Sequence, residues 1–237
     1  MSLGEMRECA DSRAAVTVLR CFDKFRGIVA VSDGMGGHSS GEVASFMTVK
    51  CLCDEYPRIV ASDGELSGAV ILEINRTVSQ AAQSNPEYKG MGATLCGFAY
   101  CDNKIIGFNV GDSRLYRFCG GELERLSRDH TEGQRLKDLG LLTDAELESF
   151  PNRKAIYKYI GMKTDLVADV FEIAPCEKGS LLLLCTDGLS DAICESELAE
   201  ILGRDLTLKE KGEVLIDTAL ERKIGHGDNV TIILTGF

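Results

Sequence analysis

Three stretches of this chain place an aspartate beside a glycine at the limit of an apolar, strand-forming run. Gly27-Ile28-Val29-Ala30-Val31-Ser32 leads into Asp33-Gly34-Met35-Gly36-Gly37-His38. Leu183-Leu184-Cys185-Thr186 leads into Asp187-Gly188, and Gly227-Asp228-Asn229 stands before Val230-Thr231-Ile232. A strand end fixes the direction of a carboxylate, while glycine lets the backbone turn tightly and leaves the Gly34 carbonyl open to an ion. One such Asp-Gly is most often only a turn. Three in one fold carry more weight, because hard carboxylate oxygens gathered at strand ends hold divalent cations. Donors that are all oxygen suit Mg²⁺ or Mn²⁺ and suit zinc or copper poorly.

At 237 residues the chain can bury one sizeable core, so a single domain over 1–237 is expected. The net charge of -11, with no basic stripe, argues against a nucleic-acid partner. An acidic protein that handles phosphate needs positive charge from elsewhere, and bound metal supplies it. No apolar run reaches the ~18 residues of a membrane span. The first residues lack a basic region followed by an apolar one, so a cytoplasmic protein without membrane contact is expected. The ten cysteines include no C-x-x-C pair and mostly sit among apolar neighbours. They read as reduced, small core residues rather than a disulfide or zinc framework.

Along the chain, Ala15 to Phe22 reads as a strand, and apolar spacing predicts helices over 41–55 and 65–84, separated by Pro57 and a Ser62-Asp63-Gly64 turn. Strands over 91–100 and 104–110 flank Cys101-Asp102-Asn103. Gly111-Asp112-Ser113-Arg114 is the next turn, and the run to Leu126 reads as one antiparallel meander. Residues 131–163 turn helical and polar, with cap signatures at Thr131-Glu132-Gly133-Gln134 and Thr143-Asp144-Ala145-Glu146. Strands at 166–173 and 181–185, helices at 195–203 and 207–222, and a strand at 229–235 complete the chain. Short connections between strands, with helices in pairs, favour an α+β fold of antiparallel sheets flanked by helices.

Six motifs in order, Asp33-Gly34-Met35-Gly36-Gly37-His38, Gly92-Ala93-Thr94, Gly111-Asp112-Ser113-Arg114, Asp129-His130-Thr131, Thr186-Asp187-Gly188 and Gly227-Asp228-Asn229, give the chain a resemblance to the metal-dependent PPM (PP2C-like) serine/threonine protein phosphatases, most closely the compact bacterial type. The resemblance implies a four-layer α-β-β-α sandwich and a site for two Mg²⁺ or Mn²⁺ ions, with a third, looser one beside them. By that resemblance Asp33 bridges both ions, the Gly34 carbonyl binds one of them, Asp187 and Asp228 hold the other, and Asp112 joins Asp187 at the third. Two such ions roughly 3.5–4 Å apart acidify a shared water and neutralise a phosphate, so no protein nucleophile is required. This agrees with the lack of a cysteine in a C-x₅-R setting.

The implied substrates are phosphoserine and phosphothreonine in proteins, in opposition to a bacterial kinase, and the implied state is a monomer. Met35 stands where some members carry a histidine. The opening motif, Arg7-Glu8-Cys9-Ala10-Asp11, is one residue shorter than the family's. In it Asp11 fits an acid reaching the metals directly or through water, and Arg7 a clamp on phosphate. Residues 131–165 match the family's flap, made locally basic by Arg135, Lys137, Arg153, Lys154, Lys158 and Lys163. His38 is expected to pack a turn, His130 to satisfy a loop hydrogen bond, and His226 to be exposed. Two other readings stay open: a catalytically weak module of the same fold that binds partners, and a hydrolase of small phosphate esters.

Overall fold

The computed structural model describes residues 16–22, 26–36, 40–61, 68–101, 104–222 and 229–237. In chain order its elements are β1 (Val16–Phe22), β2 (Arg26–Met35), α1 (Ser40–Ala61), α2 (Gly68–Ser84), β3 (Gly92–Ala93), β4 (Leu95–Cys101), β5 (Lys104–Val110), β6 (Arg114–Cys119) and β7 (Glu122–Arg125). Then come α3 (Glu132–Asp138), α4 (Asp144–Ser149), β8 (Asp169–Ile173), β9 (Leu181–Cys185), α5 (Asp187–Ser190), α6 (Glu195–Gly203), α7 (Leu208–Arg222) and β10 (Ile232–Gly236). One sheet has the order β1-β2-β4-β5-β8, with β3 added at the end of β2, and the other has the order β10-β9-β6-β7. Every pairing is antiparallel.

Strand periodicity distributes the core over three layers. On β2, Ile28 and Ala30 face α1 and α2 together with Leu52, Ile71 and Phe108. Val29 and Val31 point the other way, into a core shared with Phe98, Leu115, Leu182 and Leu184 between the sheets. On β9, Leu183 and Cys185 pack with Tyr116, Leu198 and Leu215 beneath α6 and α7. The layering is therefore α-β-β-α, as expected. Burial on both faces explains why β2 and β9 read as continuous apolar runs instead of alternating ones.

Several boundaries differ from expectation. The run from Met91 to Leu126 is not one meander: β4 and β5 lie in the first sheet, β6 and β7 in the second, and Gly111-Asp112-Ser113 carries the chain across. Helix α1 does not stop before Pro57 but continues to Ala61. Pro57 removes one helical hydrogen bond on the exposed side. Buried Ile59 and the Tyr56 hydroxyl, which donates to the Arg26 carbonyl at 3.2 Å, hold the next turn against the sheet. β8 begins only at Asp169, where pairing with Asn109 starts, while Val167 is exposed. The last strand begins at Ile232 rather than Asn229.

The cap signatures hold. Thr131 and Thr143 cap α3 and α4, and Thr143 with Glu146 forms a reciprocal capping box. Cys51, Cys96, Cys119, Cys176, Cys185 and Cys194 are free thiols, and Cys96, Cys101 and Cys185 are buried. No helix among the described residues is long and apolar enough to cross a membrane.

Gly97 lies in the middle of β4, opposite Ala30 and Phe108. A Cβ there would run into the Val29 carbonyl oxygen and stand 2.5 Å from the Phe108 ring. Neither neighbour can retreat without breaking the sheet. Gly97→Ala is expected to lower stability by about 1–3 kcal/mol, read as a reduced urea midpoint at unchanged m-value.

Candidate active site

Asp33 is not at a turn. β2 runs on through Asp33 and Gly34 to Met35, paired with Gly92 and Ala93, and the chain turns only at Gly36, whose φ is 143°. The pairing anchors Asp33 on both sides: its N–H donates to Thr94 Oγ1 at 2.9 Å and its carbonyl accepts from the Thr94 N–H at 2.8 Å. Thr94 Oγ1 in turn lies 2.8 Å from Ser113 Oγ, in the second sheet's leading turn. Both hydroxyls are buried, so this contact ties Asp33 to the Asp112 turn across the gap between the sheets. Strand alternation continues from Val29 and Val31 to Asp33, setting its carboxylate at the mouth of the inter-sheet core. Helix α1 begins close by, where a Cβ on Gly41 would stand 2.8 Å from the Gly34 carbonyl oxygen. The missing side chain leaves room beside that oxygen.

Asp187 opens the short helix α5, with Thr186 at the N-cap. Thr186 is tied to the last strand's approach: its N–H donates to the Thr231 carbonyl at 3.1 Å, and its hydroxyl accepts from the Thr231 N–H at 3.2 Å. Next to Asp187, a Cβ on Gly188 would collide with the Asn229 carbonyl and stand 3.2 Å from Val230 Cα. The residues that follow Asp228 are thus pressed onto the start of the Asp187 helix. Asp228, Asp11, Arg7, His38 and His226 themselves lie outside the described residues. Among the described residues no three Asp, Glu, His or Cys side chains form a metal-sized cluster.

Asp112 and Asp187 line a cleft of about 320 Å³ whose far wall is the 131–154 segment. Burial, then the charges of Asp187 and Asp129, push the Asp112 carboxyl up to about 7. Asp129 is occupied by Arg114, which holds it with three hydrogen bonds of 2.6 to 3.1 Å. Burial opposes the charge on Arg114, but these bonds outweigh it and keep the guanidinium protonated. The donors concerned, the Asp112 and Asp187 carboxylates in the cleft and the Asp33 carboxylate and Gly34 carbonyl at the end of β2, are all oxygen. They fit a hard divalent cation, and its charge would relieve the crowding that keeps Asp112 protonated.

The 131–165 segment is less positive than its composition suggests. Arg135 pairs with Glu132, Lys137 with Asp144, Lys154 with Asp191, and Lys158 with Asp169. Lys154 to Asp191 joins this segment to the end of α5, and Arg153 lines the cleft beside it. His130 makes the expected loop hydrogen bond, its Nδ1 accepting from the Gly111 N–H at 3.0 Å. Sequence reasoning assigned no role to Thr94, Ser113 or Asp129, although all three sit inside the motifs it isolated.

Comparison with known proteins identifies the family. Residues 8–221 match the family model described as Protein phosphatase 2C. The chain is 34% identical over 212 residues to the serine/threonine phosphatase stp of Listeria monocytogenes, spanning 87% of this chain and 83% of that protein. It is 35% identical over 213 residues to protein phosphatase PhpP of Streptococcus pneumoniae, spanning 88% and 85%. Among solved structures, the S. agalactiae serine/threonine phosphatase superposes with a TM-score of 0.84 at 30% identity, covering 97% of this chain and 95% of that one. The Mycobacterium tuberculosis phosphatase PstP/Ppp gives 0.78 at 30% identity, covering 98% and 95%.

The Asp112 shift has a signed consequence for the metal-free protein. A carboxyl whose folded pKa of about 7 exceeds its unfolded value of 3.8 adds stability below the unfolded value and loses it as pH rises through the folded one. In chelator, Asp112→Asn is therefore expected to raise Tm above wild type at pH 8, and the two melting curves should converge near pH 4. A thermal melt series across that range checks it.

Proposed function

The chain belongs to the protein phosphatase 2C family, and on that premise we propose that Asp33, Asp187 and Asp228 hold two Mg²⁺ or Mn²⁺ ions at the mouth of the inter-sheet core. It is a serine/threonine protein phosphatase of the bacterial type. In this reading Asp33, with the Gly34 carbonyl, and Asp187 with Asp228 would hold the pair, and Asp112 with Asp187 would hold a third, looser ion. Two bound divalent ions supply an acidified water and a sink for phosphate charge. The observation that carries the assignment is the crowding of Asp112 by Asp187 in one cleft, although each comes from a different part of the chain.

Each side chain then has a distinct task. Thr94 holds the Asp33 backbone through its N–H and its carbonyl, which fixes the point at which the side chain leaves the strand. Thr186 fixes the start of α5 against residues 229–231, which supports the approach of Asp228 to Asp187. Asp11 serves as a further acid near the ions, and Arg7 as a fork on the substrate phosphate. The cleft wall formed by 131–154 receives the phosphorylated segment of a protein substrate, with Arg153 at its edge. We further propose that residues 1–237 act as one domain and as a monomer, in the cytoplasm, reversing a serine/threonine kinase. The partner-binding alternative is not favoured, since the relatives that match most of this chain are named as phosphatases.

Asp33→Ala, Asp187→Ala and Asp228→Ala are each expected to reduce Mn²⁺-dependent hydrolysis of a phosphothreonine peptide to background while circular dichroism stays native. Asp112→Ala should lower turnover without abolishing it. Full activity in Asp228→Ala would overturn the ligand assignment. A higher rate on nucleotides than on the peptide would overturn the substrate class.

A further inference from the structure

We propose that His130 is a positioning residue for Asp112: it fixes the Gly111 peptide, and through it sets how tightly the looser divalent position binds. The proposal rests on the reading of Asp112 as a ligand at that position.

Gly111 has a φ of 104°, a conformation that L side chains rarely adopt. Its own torsional preferences do not select that conformation over others, so the turn before Asp112 needs an outside restraint. His130 supplies it twice. The Gly111 N–H donates to His130 Nδ1 at 3.0 Å, and the His130 N–H donates to the Gly111 carbonyl at 2.9 Å. Asn109 Nδ2 adds a second donor to that carbonyl at 3.2 Å and reaches the Arg128 carbonyl at 2.8 Å.

The imidazole is itself locked. Nδ1 accepts from the Gly111 N–H, and Nε2 lies 3.2 Å from Asp169 Oδ2 and 3.1 Å from Lys158 Nζ. Lys158 Nζ lies 3.2 Å from the other oxygen of Asp169 and neutralises it. The hydrogen bond from His130, working against burial and helped by Lys158, holds the Asp169 carboxyl down to about 2. Tyr157 packs edge-on against the ring at 5.9 Å and donates its N–H to the His130 carbonyl at 3.0 Å. The ring is buried, so it cannot swing away from Gly111 without opening the 155–162 segment. A chain of contacts thus runs from β8 through His130 to the residue preceding Asp112.

Two substitutions separate positioning from bulk. In His130→Asn the amide oxygen stands near the place of Nδ1 and can accept from Gly111, whereas in His130→Gln the polar end reaches the place of Nε2 and leaves the Gly111 N–H unanswered. The experiment counts free Mn²⁺ by electron paramagnetic resonance during titration of each variant, and separately measures the Mn²⁺ concentration for half-maximal activity against kcat. His130→Gln is expected to weaken the loosest Mn²⁺ roughly 10–100-fold and to leave the tighter ions unchanged, while His130→Asn stays close to wild type. Wild-type binding in His130→Gln, or equal loss in both variants, overturns the proposal. Asp112→Ala, titrated alongside, keeps the two failures apart. If it binds Mn²⁺ as wild type does, the ligand reading of Asp112 falls and this inference with it; if it alone loses the loosest ion, only the role of His130 is wrong.

Discussion

Carboxylates resist being gathered, and the whole design of this molecule answers that resistance. Asp112 and Asp187 line one cleft, and burial together with the charges of Asp187 and Asp129 displaces the Asp112 carboxyl from 3.8 to about 7. At 1.36 kcal/mol per unit, ionising it there costs about 4 kcal/mol more than in water. Such a cost persists only if the groups cannot move apart. One net hydrogen bond is worth roughly 1 kcal/mol, so no single contact could hold the turn. The two bonds between Asp33 and Thr94, the Thr94 to Ser113 contact and the paired bonds between Gly111 and His130 are together of the right size.

These restraints work because they come from both sheets. β2 and β3 carry Asp33, Thr94 hands the restraint across to Ser113, and Ser113 belongs to the turn by which the chain leaves the first sheet for the second. The crossover and the acidic site are one feature: a chain that must change sheets has to do so at the open end of the inter-sheet core, where a charged side chain can reach solvent. Below that end the core is apolar, with Val29, Val31, Leu182 and Leu184 filling the gap. Its low polarity raises the energy of any unpaired charge above it, and is the source of the Asp112 shift as much as its neighbours are.

Much of this was legible in the residues. The apolar runs before Asp33 and Asp187 announced strands, and Thr131 and Thr143 announced their helices to within a residue. What could not be read was anything decided by partners distant in sequence. Gly111-Asp112-Ser113 looks locally like a hairpin turn, and only the pairing of Arg114 with Cys185 reveals a change of sheet. Pro57 looks like a stop, but Ile59 finds a buried seat and the helix continues. Asp33-Gly34 looks like a turn, yet Gly92 and Ala93, far along the chain, extend the strand through it. Thr94 and Ser113 are common residues in plain positions, and only their 2.8 Å contact discloses what they hold together.

The basic residues of the 131–165 segment carry the remaining step. Counted along the sequence they suggest a positive surface awaiting phosphate, but Glu132, Asp144, Asp169 and Asp191 engage four of the six. The chain charge is -11 and the cleft is lined by as many acidic as basic side chains, so the side chains alone offer phosphate little net attraction. On the reading proposed for the site, attraction for a phosphorylated segment therefore follows cation binding and does not precede it. The same carboxylates that make the empty cleft costly would then ensure that substrate is held only by a loaded one, with the acidic excess of the protein acting as a filter against premature binding.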